Sequence, residues 1–343
     1  MIYIDHIINA LQEGMLPSEE SLVQLIERGR KEEVERVCEA ARRVCEERFG
    51  RKVWLRGRVE VWSRCGGGCF YCGLRAENGA LDRYEMSEAE IVGACREAYR
   101  LGLRTFVLQG GQVHGRDKVV ERIVRTLKEE FSDAAITLSL GEQPREVYEL
   151  WRKAGADRYL LRHETASEEH YRRLHPERMD YHHRRECLGW LKELGYQVGA
   201  GMMVGSPWQR AEDLVADLRY LHKLRPEMVG IGPFMPQSDT PLGQWPRGSV
   251  ERTLLVVALV RLMLPEAMIP ATTALASADG ENGTLRGVLA GANVVMPNVT
   301  PQRYRSRYAI YDNKKNSGSE AAEGIDRLRA DLQTIGYEIY WGK

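Results

Sequence analysis

The sequence predicts an α/β fold, a (β/α)8 TIM barrel with an N-terminal helical extension and a short C-terminal extension. Three observations predict it. From about Val53 onward, short β-branched runs alternate with charged amphipathic segments, as in repeated βα units that feed a parallel sheet. Eight such runs can be counted, the number that closes a barrel. A chain of 343 residues fits one such core with extensions. A doubly wound open sheet uses the same alternation and is the runner-up.

Taken in order, residues 1–50 form the helical extension. There Leu22, Val23, Ile26, Val34, Val37, Ala41 and Val44 recur at three- and four-residue steps between charges over 5–48. The barrel is expected over 51–300, with strands at 53–62, 105–109, 135–140, 158–161, 197–204, 228–234, 268–273 and 293–296. Helices are expected at 87–101, 118–131, 146–154, 181–194, 210–224 and 250–264, each with one apolar stripe. Gly102, Gly155 and Gly195 follow three of these helices, where a left-handed cap is wanted. Residues 301–343 are the segment expected to close the barrel. Within it, 313–319 reads as a mobile linker before a last helix at 320–335.

Lys plus Arg and Asp plus Glu both number 49, so no basic surplus points to nucleic acid or anionic lipid. A small-molecule partner is expected. The sequence contains no apolar run long enough to span a membrane, and its first residues lack the pattern of a signal peptide, so a cytoplasmic location is expected. Seven cysteines are too few for a disulfide scaffold in a chain of this length. Cys38, Cys45, Cys95 and Cys187 lie on helical stripes and read as buried small apolar residues.

The other three form a tight group, Cys65-Gly-Gly-Gly-Cys69-Phe-Tyr-Cys72-Gly-Leu-Arg75, just after the first expected strand. This places them on the face where barrels gather their chemistry. Thiolates at these spacings can wrap three corners of an iron-sulfur cubane, and Gly66, Gly67, Gly68 and Gly73 suggest tight, positive-φ turns. Three protein ligands leave one iron open for substrate chemistry. Zinc completed by a distant histidine, or a structural cluster with a fourth cysteine, are the bland alternatives. His114 stands in a loop where a ligand role is open, His163 is expected to face the pocket, and His182 and His183 to cover a helix start.

The C-x3-C-x2-C loop, with Tyr71 before its last cysteine, resembles the signature of the radical S-adenosylmethionine (SAM) superfamily. Further blocks resemble the HydE family of FeFe-hydrogenase maturases: Thr137-Leu-Ser-Leu-Gly-Glu142, Ala156-Asp-Arg-Tyr-Leu-Leu-Arg-His-Glu-Thr-Ala166, Met228-Val-Gly-Ile-Gly-Pro-Phe234, Ile269-Pro-Ala-Thr-Thr273 and Gly291-Ala-Asn-Val-Val-Met-Pro-Asn298. Methylornithine synthase and biotin synthase share the layout. The resemblance implies one 4Fe-4S cluster on Cys65, Cys69 and Cys72, and SAM cleaved to a 5′-deoxyadenosyl radical.

The same resemblance implies SAM contacts from Tyr71, Gln109, Gly110, Gly111, Arg162, Glu164, Arg184, Met228 and Tyr308, with Tyr308 near the reactive ribose. The residue types agree, because a guanidinium can fork onto a carboxylate and a carboxylate can accept from ribose hydroxyls. A rim salt bridge is the plain alternative for Arg162 and Glu164. Thr137, Arg158, Thr272, Thr273, Met296 and Tyr311 are implied to border an interior substrate pocket, with ordinary barrel filling as the alternative. Gly110 and Gln112 stand where the resemblance leads one to expect a serine and an acid.

The substrate implied is a cysteine-bound iron carbonyl cyanide complex from HydG, attacked at sulfur, with HydF as acceptor and a ferredoxin-like or flavodoxin-like electron donor. Two rivals are an amino-acid substrate as in methylornithine synthase, and a non-catalytic iron-sulfur carrier. A second cluster near the carboxyl end is not expected, since no cysteine follows Cys187.

Overall fold

The computed structural model describes residues 2–280, 282–314 and 321–343. Its N-terminal part is three helices, α1 (Ile2–Gln12), α2 (Glu19–Arg28) and α3 (Lys31–Phe49). Each buries a stripe at helical spacing: Ile4, Ile7 and Leu11; Leu22, Leu25 and Ile26; Val37, Ala41 and Cys45. They pack on barrel helices named below, α3 on α10 and α2 on α9.

The barrel strands are β1 (Lys52–Leu55), β2 (Gly57–Trp62), β3 (Thr105–Gly110), β4 (Ala135–Ser139), β5 (Arg158–Leu160), β6 (Gln197–Val204), β7 (Met228–Pro233) and β8 (Val294–Val295). Strands β2 to β7 pair in chain order, all parallel. Between them run α4 (Glu88–Arg100), α5 (Asp117–Glu130), α6 (Arg145–Ala154), α7 (Glu168–Leu174), α8 (Tyr181–Glu193), α9 (Ala211–Leu224), α10 (Val250–Met263), α11 (Thr273–Ala278) and α12 (Gly283–Leu289). After β8 come α13 (Gln302–Arg305), α14 (Ala321–Thr334) and β9 (Glu338–Tyr340). Helix α10 is buried along nearly its whole length between barrel and α3, which explains a sequence apolar on every side.

Backbone hydrogen bonds close the ring. Val229 N–H donates to Met268 (3.1 Å), Asn293 N–H to Ile269 (2.8 Å), and Arg56 N–H to Val295 (3.0 Å), so the open-sheet alternative is excluded. The expected strand at 268–273 is replaced by isolated bridges at Met268 and Pro270, after which Thr272 caps α11. Pro270 has no N–H to give a ladder. The expected strand at 53–62 is two strands, because β9 lies parallel to β1, Lys52 opposite Glu338, on the side where β2 meets β3. The C-terminal segment is therefore part of the barrel floor.

Gly102, Gly155 and Gly195 have φ of +94°, +114° and +77°, as their positions after helices predicted. Helices α7, α11, α12 and α13, all short, had no visible periodicity. Residues 315–320, most of the expected linker, lie outside the described residues.

Candidate active site at the mouth of the barrel

The loop after β2 carries Cys65, Cys69 and Cys72 into a cavity of about 270 Å³ at the carboxyl ends of the strands. Neighbouring backbone pins it. Gly66 N–H donates to Gln112 (2.7 Å), Phe70 N–H to Leu174 (2.9 Å) and Gly73 N–H to Ile310 (3.0 Å). The loop glycines are not the positive-φ residues expected: none of Gly66, Gly67, Gly68 or Gly73 lies in the left-handed region. For Gly73 and Gly68 the reason is close approach, whereas Gly66 and Gly67 have room for a Cβ. A Cβ on Gly73 would stand 1.9 Å from the Ala309 carbonyl, and one on Gly68 2.4 Å from the Arg178 guanidinium.

Burial pushes the Cys69 thiol up to about 11 and the Cys72 thiol further, so these groups ionise only when a cation compensates them. Among the described residues, no three His, Cys, Asp or Glu side chains converge tightly enough for a single metal ion. Met179 adds a thioether 4.0 Å from Cys69 Sγ.

Across the cavity, at the end of β5, Arg162 Nη2 stands 3.0 Å from Glu164 Oε2. Apart from this ion contact, which is not aligned as a hydrogen bond, neither atom has a polar partner, and Arg162 Nε has none, although all three are buried. Glu164 also holds φ +66°, a region that costs a side-chain-bearing residue on the order of 1–3 kcal/mol. Buried, unpartnered polar atoms on a strained backbone are what a site shaped for a polar ligand leaves when described alone. Arg184 is buried behind them, its Nε on the Glu142 carboxylate and its Nη1 3.2 Å from the Arg162 carbonyl.

His163, expected to face the pocket, points the other way, onto Asp217 (3.2 Å), because neighbouring residues of an extended chain alternate sides. Tyr71 lines the cavity. His175 Nδ1 faces the Tyr171 carbonyl (3.0 Å) and so carries the proton, leaving Nε2 to accept from the Tyr71 hydroxyl (3.3 Å).

Gln109, Gly110, Gly111, Tyr308 and Tyr311 complete the same lining, and the Tyr308 phenol bonds Gln109. Gly110 has a local cause. A Cβ there would meet the Trp62 indole nitrogen at 2.6 Å, and that nitrogen donates to Gly111 O (2.8 Å). Gln112 uses its side-chain oxygen to accept Glu142 N–H (3.1 Å), tying the cysteine loop to the loop after β4. Under the strap that carries Tyr308, the buried Lys314 ammonium bonds Glu60 on β2 and the Tyr308 carbonyl.

Thr137, Arg158 and Met228 are elsewhere. With Arg56 they line a second cavity of about 250 Å³ at the amino ends of the strands. Met228, expected beside SAM, instead sets its sulfur 2.9 Å from Arg56 Nη1. Thr137 Oγ1 is buried without a partner. Thr272, Thr273 and Met296 line neither cavity. The Thr272 hydroxyl donates to the Ile231 carbonyl, and that of Thr273 accepts from Arg58. Glu142, Met179, Glu60, Lys314, Arg56 and Asp217 were not among the expected site residues, and Gln112 stood out only as a departure from the expected acid.

Residues 59–221 match the model of the radical SAM superfamily. The chain is 48% identical over 268 residues to the [FeFe] hydrogenase maturase subunit HydE of Thermotoga maritima, covering 77% of this chain and 75% of that one. The chain belongs to the HydE family. It is a radical SAM enzyme that uses a 4Fe-4S cluster and SAM. More distant from this HydE chain is 3-methylornithine synthase of Methanosarcina acetivorans, 28% identical over 313 residues, 90% of this chain and 87% of that one. A crystal structure of methylornithine synthase superposes with a TM-score of 0.83 at 26% identity, covering 97% of each chain. Among the described residues, no helix of this HydE-family chain is long and apolar enough to cross a membrane.

Proposed function

We propose that this chain cleaves SAM in the upper cavity and directs the chemistry onto a cysteine-bound iron carbonyl cyanide complex held deeper in the barrel. The observation that carries this reading is the Arg162–Glu164 ion pair, whose facing atoms make no hydrogen bond, set across one cavity from three half-buried thiols. A reduced 4Fe-4S cluster with bound SAM supplies a one-electron cleavage of the sulfonium, giving a 5′-deoxyadenosyl radical.

Cys65, Cys69 and Cys72 hold the cluster. Arg162 and Arg184 take the SAM carboxylate, Glu164 accepts from ribose hydroxyls, and Tyr71, Gln109, Gly110, Gly111 and Tyr308 wall the site against water. Toward the floor, Thr137 and Arg158, with Arg56, present a hydroxyl and two guanidinium groups to an anionic substrate, and Tyr311 borders the upper cavity. Thr272, Thr273 and Met296 act one layer back. Residues 1–50 brace the 51–300 barrel, and 301–343 close it. Support for the substrate comes from the identity to the Thermotoga HydE. The partners follow from the same reading: a HydG-type supplier, a HydF-type acceptor, and a ferredoxin-like or flavodoxin-like donor in a reducing cytoplasm.

The test is an anaerobic assay of the reconstituted protein with SAM and dithionite, following 5′-deoxyadenosine with and without the iron-cysteine complex. Cleavage that rises with the complex, with adenosyl attached to sulfur, is expected, and a Cys65/Cys69/Cys72 triple alanine variant should lose it entirely. Cleavage indifferent to the complex moves the substrate toward an amino acid. SAM that is never cleaved sinks the enzymatic reading.

A further inference from the structure

The loop that carries Arg162 and Glu164 takes an expensive shape, and what holds it lies on its far side. Arg162 and Glu164 face the cavity, while His163 between them faces α9 and is 2% exposed. Its ring is held on both nitrogens. Nδ1 accepts the Gly201 N–H (3.3 Å), so the proton is on Nε2, which donates to Asp217 Oδ1 at 3.2 Å. The same oxygen accepts Ala166 N–H, immediately beyond the strained turn. Glu164 N–H itself donates to Gly201 O (3.0 Å), so Gly201 grips the turn from both of its backbone groups. Tyr220, one turn beyond Asp217 on α9, packs its ring edge-on to His163 at 4.9 Å.

We propose that His163 and Asp217 are positioning residues for SAM: they hold residues 162–166 in the strained turn that aims Arg162 and Glu164 into the cavity. The proposal rests on the reading of that pair as the SAM clamp. Without the pair, Glu164 relaxes toward ordinary φ and its carboxylate leaves the line of the ribose, although no atom touching the ligand has changed. Asp217 is fully buried, yet a single oxygen does its work and Oδ2 has no partner. An amide therefore serves nearly as well as the acid. That makes a conservative variant available.

The experiment measures SAM affinity by anaerobic calorimetry on the full, cluster-loaded chain, with iron content and melting temperature recorded for each variant. Glu164→Ala tests the clamp itself. His163→Phe keeps the packing on Tyr220 and removes both ring hydrogen bonds, and Asp217→Leu keeps the volume. Each is expected to weaken SAM by about tenfold at unchanged iron content. Asp217→Asn should stay within about twofold of the parent. In the decisive variant, His163→Phe added to Glu164→Ala should weaken binding by less than the product of the two single losses, because part of the effect of His163 runs through Glu164.

If Glu164→Ala binds SAM normally, the clamp reading falls and takes this proposal with it. If Glu164→Ala weakens binding but His163→Phe and Asp217→Leu do not, the positioning role alone is overturned. It is likewise overturned if the two losses multiply, if Asp217→Asn is as poor as Asp217→Leu, or if the His163 and Asp217 variants fail to fold and load the cluster, which would make the pair a folding element.

Discussion

At the upper end of the barrel guanidinium groups sit against carboxylates, Arg162 beside Glu164 and Arg184 on Glu142. At the lower end Arg56 and Arg158 share a cavity; burial, and after it the Arg158 charge, bring Arg56 down to about 9, and burial lowers Arg158 against a partial offset from Asp157. Their contacts are neutral. Arg56 meets the Met228 sulfur, and Arg158 meets Gln197 (2.6 Å) and Thr105 (3.2 Å). The carboxylates of that cavity are engaged elsewhere, Glu227 by Val198 N–H and Glu266 by Arg48. The upper end, with both signs present, is complementary to a zwitterion such as SAM. At the lower end neither guanidinium makes an ion pair among the described residues, which leaves both open to an anion.

Acid sharpens this comparison most. Burial brings His163 and His175 each down to about 3, and both flank the upper cavity, whereas no histidine lines the lower one. Unfolding returns them to about 6.5, so between these values the unfolded chain binds more protons, and stability falls as pH is lowered through 6.5. Each histidine contributes up to about 1.4 kcal/mol per pH unit, and the buried Asp217 carboxyl, pushed up by burial, opposes one of them because it keeps a proton that the unfolded chain has lost. Urea midpoints at pH 7.5, 6 and 5 check it, and His175→Phe should lower the slope by about 1.4 kcal/mol per pH unit.

A smaller effect, of opposite sign, is expected at the other end. Arg56→Met replaces a buried charge that has no acidic partner, and should raise stability by about 1–2 kcal/mol in urea unfolding while raising KM for the iron-cysteine complex. Loss of stability there would mean that the guanidinium is compensated and the contrast is wrong. The smallest change returns to the upper rim. Gly110→Ser forces the Trp62 indole from its bond to Gly111 and should lower the melting temperature by an amount corresponding to about 1 kcal/mol.

The cysteine loop, the βα alternation and the polar blocks at strand ends were legible because each is local: a spacing, a period or a cluster within a few residues. The second cavity was not. Met228 was expected beside SAM, and Thr137 and Arg158 around one interior pocket with Thr272, Thr273 and Met296, but Arg158 and Met228 start their strands while Ser139 and Arg162 stand at or just beyond strand ends, and only barrel geometry separates the two layers. Thr272 and Thr273 were expected on a strand and instead begin α11, since a proline and a helix cap end the pairing there. Lys314 gave no signal, lying in a polar run yet reaching Glu60, 254 residues away in sequence.

By itself the sequence determined the periodicity, the number of βα units, the spacing of the three clustered cysteines and the polar residue types near strand ends, all properties of neighbours along the chain. Tertiary structure alone decided which face of each strand end looks inward, why Gly68 and Gly73 are needed, that β9 joins the floor, and that His163 turns from the ligand to Asp217. These depend on pairs of atoms brought together across the barrel, and such pairings form only when the ring closes.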